Sequence, residues 1–124
     1  MPTAEVIFHD EFAAEFRLLA ESVQDRILAH VRALQSEGYE LGRPWADTLK
    51  GSKFKNMKEL RPTVNKVEWR VAFAFDSFQR GVLLAAAAKG GKKDSLVYGR
   101  LIATADARFA AHQAGLEPRQ KGKK

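Results

Sequence analysis

The stretch Val67–Phe75, VEWRVAFAF, constrains the fold more than any other part of the chain. Val67, Trp69, Val71, Phe73 and Phe75 alternate with Glu68, Arg70, Ala72 and Ala74, and Asp76 continues the second set. Alternation of period two places successive side chains on opposite faces of a pleated strand, so one face is buried and the segment belongs to a sheet. Just upstream, FKNMKELR (residues 54–61) reads as a second strand, and Pro-Thr-Val-Asn as the turn that pairs the two antiparallel. With Leu60 turned to the core, Glu59 and Arg61 turn to the side that carries Arg70. A sheet face holding a carboxylate, two guanidiniums and nearby lysines is the most unusual feature of the sequence.

Length and composition narrow the setting. The 124 residues suit one domain, and 45% hydrophobic content supplies a single core. No apolar run approaches the ~18 residues of a membrane span. The N-terminus has no basic region followed by an apolar one, so no secretory signal is expected. Cysteine is absent, which excludes disulfides and thiol catalysis, and a cytoplasmic location is expected. Charge is divided unevenly: residues 1–49 carry 4 Lys/Arg against 9 Asp/Glu (net −5), and residues 50–124 carry 17 against 6 (net +11), which sum to +6. Such a split fits a second half that meets a polyanion or an acidic protein, and it fits a solvated basic surface equally well.

Residues 5–8 read as a short edge strand. Asp10 offers an N-cap for a helix with Phe12, Phe16 and Leu19 on one face. Ser22-Val23-Gln24-Asp25 has the form of a capping box, so a second helix starts at Ser22 or a single one bends near Ala20-Glu21. Its inward stripe is Val23, Ile27, Val31 and Leu34 with Leu28 beside it, and Gly38 is its stop. Residues 39–50 hold Gly42, Pro44 and no periodicity, which predicts a connecting loop pinned by Trp45. Asp76 to Gly81 reads as a hairpin connection, with Gly81 able to take positive φ.

VLLAAAA (residues 82–88) suits a strand covered on both sides, although a helix is also compatible, and its small side chains leave room for a ligand or a partner segment. After Lys89-Gly-Gly-Lys-Lys93, Asp94 or Ser95 starts a last helix with apolar positions Leu96, Val97, Leu101, Ile102, Ala105 and Phe109. Past His112 the chain is basic and aperiodic. Residues 1–112 are therefore predicted to form one domain, and 113–124 a disordered tail. The expected class is α+β in the order β-α-α-β-β-β-α, a small antiparallel-rich sheet with the N-terminal helices packed on one face and a C-terminal helix.

That order, with the blocks LKGSKFKNMKELRP (residues 49–62), EWRVAFAFD (68–76) and AAAKGGKKDSLVYGRLIATADARFAAH (86–112), resembles the RelE/ParE superfamily of bacterial toxins, and more closely its HigB-like, phage-related branch. The blocks cover about half the chain, and the topology nearly all of it. The resemblance implies a RelE-like fold and an endoribonuclease that cuts mRNA, often on the ribosome, without metal or other cofactor. It also implies a cognate antitoxin, of helix-turn-helix type, whose acidic segment lies over the basic face or wraps the N-terminal helices. A non-cleaving toxin of the ParE kind, which inhibits DNA gyrase by binding, and a degenerate antitoxin-binding module are the competing readings.

Ribonuclease chemistry of this kind lets the 2′-hydroxyl attack the neighbouring phosphorus. It requires a group to take the 2′ proton, cations to hold the phosphorane charge and a donor for the leaving oxygen. Arginine suits the second task because its planar fork grips two phosphate oxygens. Arg70 falls on the arginine the superfamily carries in this strand, and Arg61 on the basic residue that ends the preceding one. Lys92 falls where other members place a catalytic arginine, and Tyr98 where RelE-type enzymes carry a tyrosine. Glu59 departs from the lysine of RelE but matches the Glu-Leu-Arg of HigB-like relatives. It is either the general base or a salt-bridge partner that orients Arg61 or Arg70.

Lys53, Lys55, Lys58, Lys89 and Lys93 are the expected RNA-binding cations. Read without the resemblance, Arg70 and Glu59 are a cross-strand ion pair and Tyr98 is as well placed for the core as for catalysis. His9, His30 and His112 lack metal-ligand spacing, so no metal is assigned. Gly90-Gly91 beside lysines is too short a signal for a phosphate loop.

Overall fold

A computed structural model of the chain describes residues 3–89 and 94–121. In order, these form β1 (Val6–Phe8), α1 (Asp10–Arg17), α2 (Glu21–Glu37), a 3-10 turn (Gly38–Glu40), β2 (Ala46–Thr48), β3 (Lys58–Leu60), β4 (Thr63–Val64), β5 (Val67–Phe75), β6 (Gly81–Lys89) and α3 (Asp94–Lys121). The six strands make one mixed sheet in the order β1-β6-β5-β3-β2, with β4 also paired to β5. β1 runs parallel to β6, and every other pairing is antiparallel. The expected α+β class and element order hold, with β2 and β4 as additions. Part of the predicted 39–50 loop is therefore strand, since Ala46–Thr48 pair with Lys58–Leu60.

Alternation along β5 divides the interior into two cores. Val71 and Phe73 join Leu60, Leu83, Phe12, Ile27 and Leu34 on the face covered by α1 and α2. Ala72 and Ala74 join Met57, Leu84, Leu101, Ala105 and Phe109 on the face covered by α3. The charged side of β5 is thus not an open face. The physical reason lies in the side chains: alanines on β5 and β6 let a helix approach closely, and burying that surface outweighs leaving it wet. A register shift between Ala72 and Phe73 leaves Leu84 and Ala85 on the same face, so the alternation of β6 resumes one residue late.

The helix ends differ from the predicted caps. Asp10 is the first helical residue of α1; the cap is His9, whose Nδ1 accepts from the Glu11 N–H at 3.2 Å. α2 starts at Glu21, behind Ala20, and its N-terminus has no side-chain cap. Two helices form here, and Gln24 explains the break: its side-chain amide donates to the Leu19 and Arg17 carbonyls at 2.9 and 3.3 Å, satisfying the end of α1. The α2 stripe is as predicted, with His30 added. Burial lowers the His30 pKa, so it is neutral, and its Nδ1 bonds the Arg26 carbonyl beside Trp45. Gly38 ends α2 at φ 64°, as expected of a glycine stop.

The hairpin ahead of β5 turns at Asn65-Lys66, both at positive φ (50° and 69°), rather than across Pro-Thr-Val-Asn. Paired left-handed residues match the twist of the flanking strands. In the β5–β6 connection positive φ falls on Gln79, not on Gly81. Gly81 is required by packing instead, because a Cβ there would lie 3.3 Å from Leu34 Cδ2 and 3.6 Å from the Phe75 ring. α3 starts at Asp94 and buries Leu101, Ala105, Phe109 and Leu116, while Leu96, expected inward, is 52% exposed. Regular structure passes His112 and continues to Lys121, and Leu116 extends the buried stripe by two turns beyond Phe109.

Asp76 closes the β5–β6 turn. Its buried carboxylate accepts from the Phe78 and Arg80 N–H groups, the Arg80 side chain and His112 Nε2, at 2.8–3.0 Å. Burial raises its pKa, but the His112 and Arg80 hydrogen bonds outweigh that and hold it below the usual value. A depressed folded-state pKa contributes stability that is present above the unfolded value of roughly 3.9 and is lost as pH falls through the folded value. Asp76→Asn should therefore lower unfolding free energy by about 1–3 kcal/mol at pH 7 in urea titrations. The gap to the parent should narrow below about pH 4.

Candidate active site

The site lies where β3, β5 and the first turns of α3 meet. β3 pairs with β5 so that Glu59 faces Ala72, and this register sets the Glu59 carboxylate beside Arg70 on the α3 side of the sheet. Glu59 is 4% exposed and Arg70 3% exposed, which is tolerable for charged groups only when they are paired and hydrogen-bonded. Arg61 Nη1 donates to Glu59 Oε2 at 2.6 Å. The Tyr98 hydroxyl, reaching from α3, donates to Glu59 Oε1 at 2.9 Å and accepts from Arg70 Nε at 3.0 Å. Arg70 Nε itself lies 3.8 Å from Glu59 Oε1. Four of the five predicted catalytic residues, Glu59, Arg61, Arg70 and Tyr98, thus form one continuous network. The fifth, Lys92, and the predicted RNA-binding Lys93 lie outside the described residues.

The network has a buried side and an open side. The Arg70 guanidinium also donates to the Trp69 carbonyl and to Glu68 Oε1, both at 2.8 Å. Arg70 is 3% exposed and is not among the residues lining the cleft below, so its guanidinium braces the site instead of reaching a phosphate as expected. On the open side, Glu59, Arg61 and Tyr98 line a cleft of about 250 Å³ with Arg43, Asp47, Thr48, Leu49 and Lys50. Burial first, and then the Glu59 carboxylate, push the Tyr98 phenol above its ordinary pKa, so it is a protonated donor at neutral pH. Arg43 and Asp47 pair at 2.7 Å at the rim.

The loop between β2 and β3 is held firmly against α3. Asp106, itself buried, accepts from the Ser52 hydroxyl and the Lys53 N–H, while Phe54 packs edge-on against Phe109 at 5.0 Å. This leaves Lys50, Lys53 and Lys55 exposed, and of the three Lys50 lines the cleft. Lys58 is on the other face of the sheet. It pairs opposite Phe73, donates to the Tyr39 carbonyl at 3.1 Å and sits 5.0 Å above the Tyr39 ring. Lys89 stands 3.7 Å from Glu68. Sequence reasoning missed Arg43, Asp47 and Lys50 as cleft residues; the i,i+4 pairing of Arg43 with Asp47 is the one local signal that pointed there. Among the described residues, no group of three or more His, Asp or Glu side chains could hold a metal ion.

Removing the central carboxylate takes the shared anion from the buried Arg70 and the partly exposed Arg61, whereas removing Arg61 leaves Glu59 still bound by Tyr98 and Arg70. Glu59→Gln should thus lower unfolding free energy by about 3–5 kcal/mol. Arg61→Ala should have a visibly smaller effect in the same urea titration. The opposite order would mean that Glu59 is not the centre of the cluster.

Comparison with known proteins agrees with this architecture. Residues 14–110 match the family described as "Phage derived protein Gp49-like (DUF891)". Two relatives from Mycobacterium tuberculosis are named "Putative toxin HigB2" and "Putative toxin HigB3". The first is 38% identical over 116 residues, covering 93% of this chain and 56% of the relative. The second is 37% identical over 76 residues, covering 61% of this chain and 65% of the relative. The chain therefore spans less than two thirds of the length of either relative. No solved structure matches. The match across most of its length shows that the chain belongs to the phage-derived Gp49-like family, and its relatives' names bear out the HigB-like resemblance of its sequence.

Proposed function

We propose that this chain is the toxin of a type II toxin–antitoxin pair and acts as a metal-independent endoribonuclease on mRNA, associated with the ribosome and neutralised by a cognate antitoxin. The observation that carries the reading is the Arg70–Tyr98–Glu59–Arg61 network at the wall of an open, cation-rimmed cleft. In the reaction the 2′ oxygen passes its proton to a water molecule and bonds to phosphorus, and the bond from phosphorus to the 5′ oxygen breaks. That oxygen takes up a proton, leaving a 2′,3′-cyclic phosphate and a 5′-hydroxyl.

Arg61 is the partly exposed guanidinium on the cleft and the group that grips the phosphorane oxygens. Tyr98, kept protonated, supplies a hydrogen bond or proton to the reacting phosphate by turning its one O–H away from Glu59, to which it donates in the structure. Glu59 has one oxygen engaged by Arg61 and the other by Tyr98, which favours its orienting role over that of general base. Arg70 positions Tyr98 from behind. Lys50, Lys53 and Lys55 are the cations best placed to meet flanking phosphates, and Lys92 keeps the role in charge stabilisation that its place in the sequence implies.

One observation favours a second reading, a chain that binds without cutting: the Arg70 guanidinium is buried and each of its nitrogens is bonded within the protein. The two readings separate in a cleavage assay with EDTA, on free RNA and on programmed ribosomes. Cutting should persist with the chelator and vanish on a 2′-deoxy substitution at the scissile position, because the 2′-hydroxyl is the nucleophile. Arg61→Ala should slow it by about 10²–10³-fold. Glu59→Gln should lower the rate and leave the shape of the pH profile unchanged, as expected of an orienting group. Chelator-sensitive cutting, cleavage of DNA, or toxicity undiminished by Arg61→Ala would overturn the nuclease reading.

A further inference from the structure

β6 has nine residues, but β1 pairs only with the first three, Gly81, Val82 and Leu83. After Phe8 the chain turns into α1, and the His9 N–H makes the last bond to the edge, at the Leu83 carbonyl, 2.9 Å. The Leu84 carbonyl is taken by Arg108 Nη1 at 2.8 Å. Among the described residues, five, 85–89, are left with no strand on that side. Which groups face outward follows from the antiparallel ladder, in which alternate residues turn to either side. Trp69 turns its N–H away from β6, to the Pro62 carbonyl at 2.8 Å, so Ala88 opposite it turns outward, and by alternation so does Ala86 opposite Val71. Among the described residues nothing bonds the outward N–H and C=O groups of Ala86 and Ala88.

Open edges on natural sheets are ordinarily blunted by charged side chains, proline or a covering element. Residues 85–88 are four alanines, and they form one side of a groove of about 490 Å³. Val97, Arg100, Leu101 and Thr104 of α3 line it, with Glu15 and Arg108 at one end. Charge is uneven along it. Arg108 is balanced by Glu11 and Glu15. Arg100 is exposed and has no ion partner among the described residues; Lys89, which follows Ala88 at the end of β6, is 3.7 Å from Glu68.

We propose that this edge is a docking site for an extended, acidic segment of the antitoxin. The segment adds as a strand to residues 85–89, beyond the point where β1 leaves off, with its carboxylates towards Arg100 and Lys89. Main-chain bonds to Ala86 and Ala88 give the affinity, and the cations give the register and a fast, salt-sensitive encounter. The site rests on the toxin–antitoxin reading but not on the nuclease chemistry. It is neither of the two placements expected from sequence, over the basic face or around the N-terminal helices.

The test uses the full chain co-expressed with its cognate antitoxin, identified as the protein that suppresses its toxicity. Hydrogen exchange, read residue by residue by NMR, should slow at Ala86 and Ala88 in the complex. Ala88→Pro removes an outward N–H, a change a strand edge tolerates. It should weaken the complex by about tenfold, leave RNA cutting unchanged and leave the melting temperature of the free chain near that of the parent. Arg100→Glu, at an exposed position, should weaken it independently and flatten its salt dependence. A complex that keeps its affinity in both variants, with unprotected β6 amides, overturns the docking site and leaves the toxin reading standing. If no complex forms at all, both fail. Dimerisation of the free chain that Ala88→Pro abolishes would assign the edge to a second copy and overturn the proposal.

Discussion

The structure turns on one buried carboxylate. Glu59 is nearly inaccessible, and an unpaired carboxylate in that position would be untenable, so the surrounding chain is arranged to supply donors. Arg61 comes from the end of the same strand, Arg70 from the neighbouring strand and Tyr98 from a helix that arrives 39 residues later. The hydrogen bonds join the sheet to α3 at one end. The Asp106 contacts to the β2–β3 loop do the same further along the helix. A helix anchored twice in this way cannot shift without breaking buried polar bonds, and the cleft wall inherits that rigidity.

The charges divide into distinct roles once their surroundings are known. Arg70 is a brace, nearly inaccessible, with each of its three nitrogens bonded to an acceptor. Lys58 lies across the sheet against Tyr39, and burial lowers its pKa. Lys50, Lys53 and Lys55 share one loop at the β2–β3 end of the sheet, where the cleft opens. The unpaired edge of β6 is at the other end of the strand order. α3 touches both regions, with Tyr98 at the cleft and Val97 and Arg100 at the groove. A basic half that looks uniform in sequence is therefore two surfaces separated by the width of a sheet.

Much of the fold was legible because its signals are local. The β5 alternation, the α2 stripe and the Gly38 stop each depend on spacing within a few residues, and each is realised. Three of the four convergent site residues could be put on one side of the sheet by counting parity along β3 and β5. Elsewhere a local signal lost to tertiary context. The Ser22 capping box gave way to Gln24, whose amide was needed at the end of α1. Gly81 looked like a turn glycine but is there because Leu34 and Phe75 crowd it. Leu96 fits the apolar period of α3 yet lies beyond the edge of the surface that helix covers.

By itself the sequence determined that a two-faced sheet would form, which residues share each face of its central strand, and that carboxylate and guanidiniums would meet on one of them. Whether that face would be wet or covered was decided only by tertiary structure. Alternation records that two sets of side chains point apart, but alanine is compatible with either water or a packed helix, so no short stretch encodes the arrival of α3. That docking made Arg70 a brace, brought Tyr98 onto Glu59 and left Arg61 on the open side of the network.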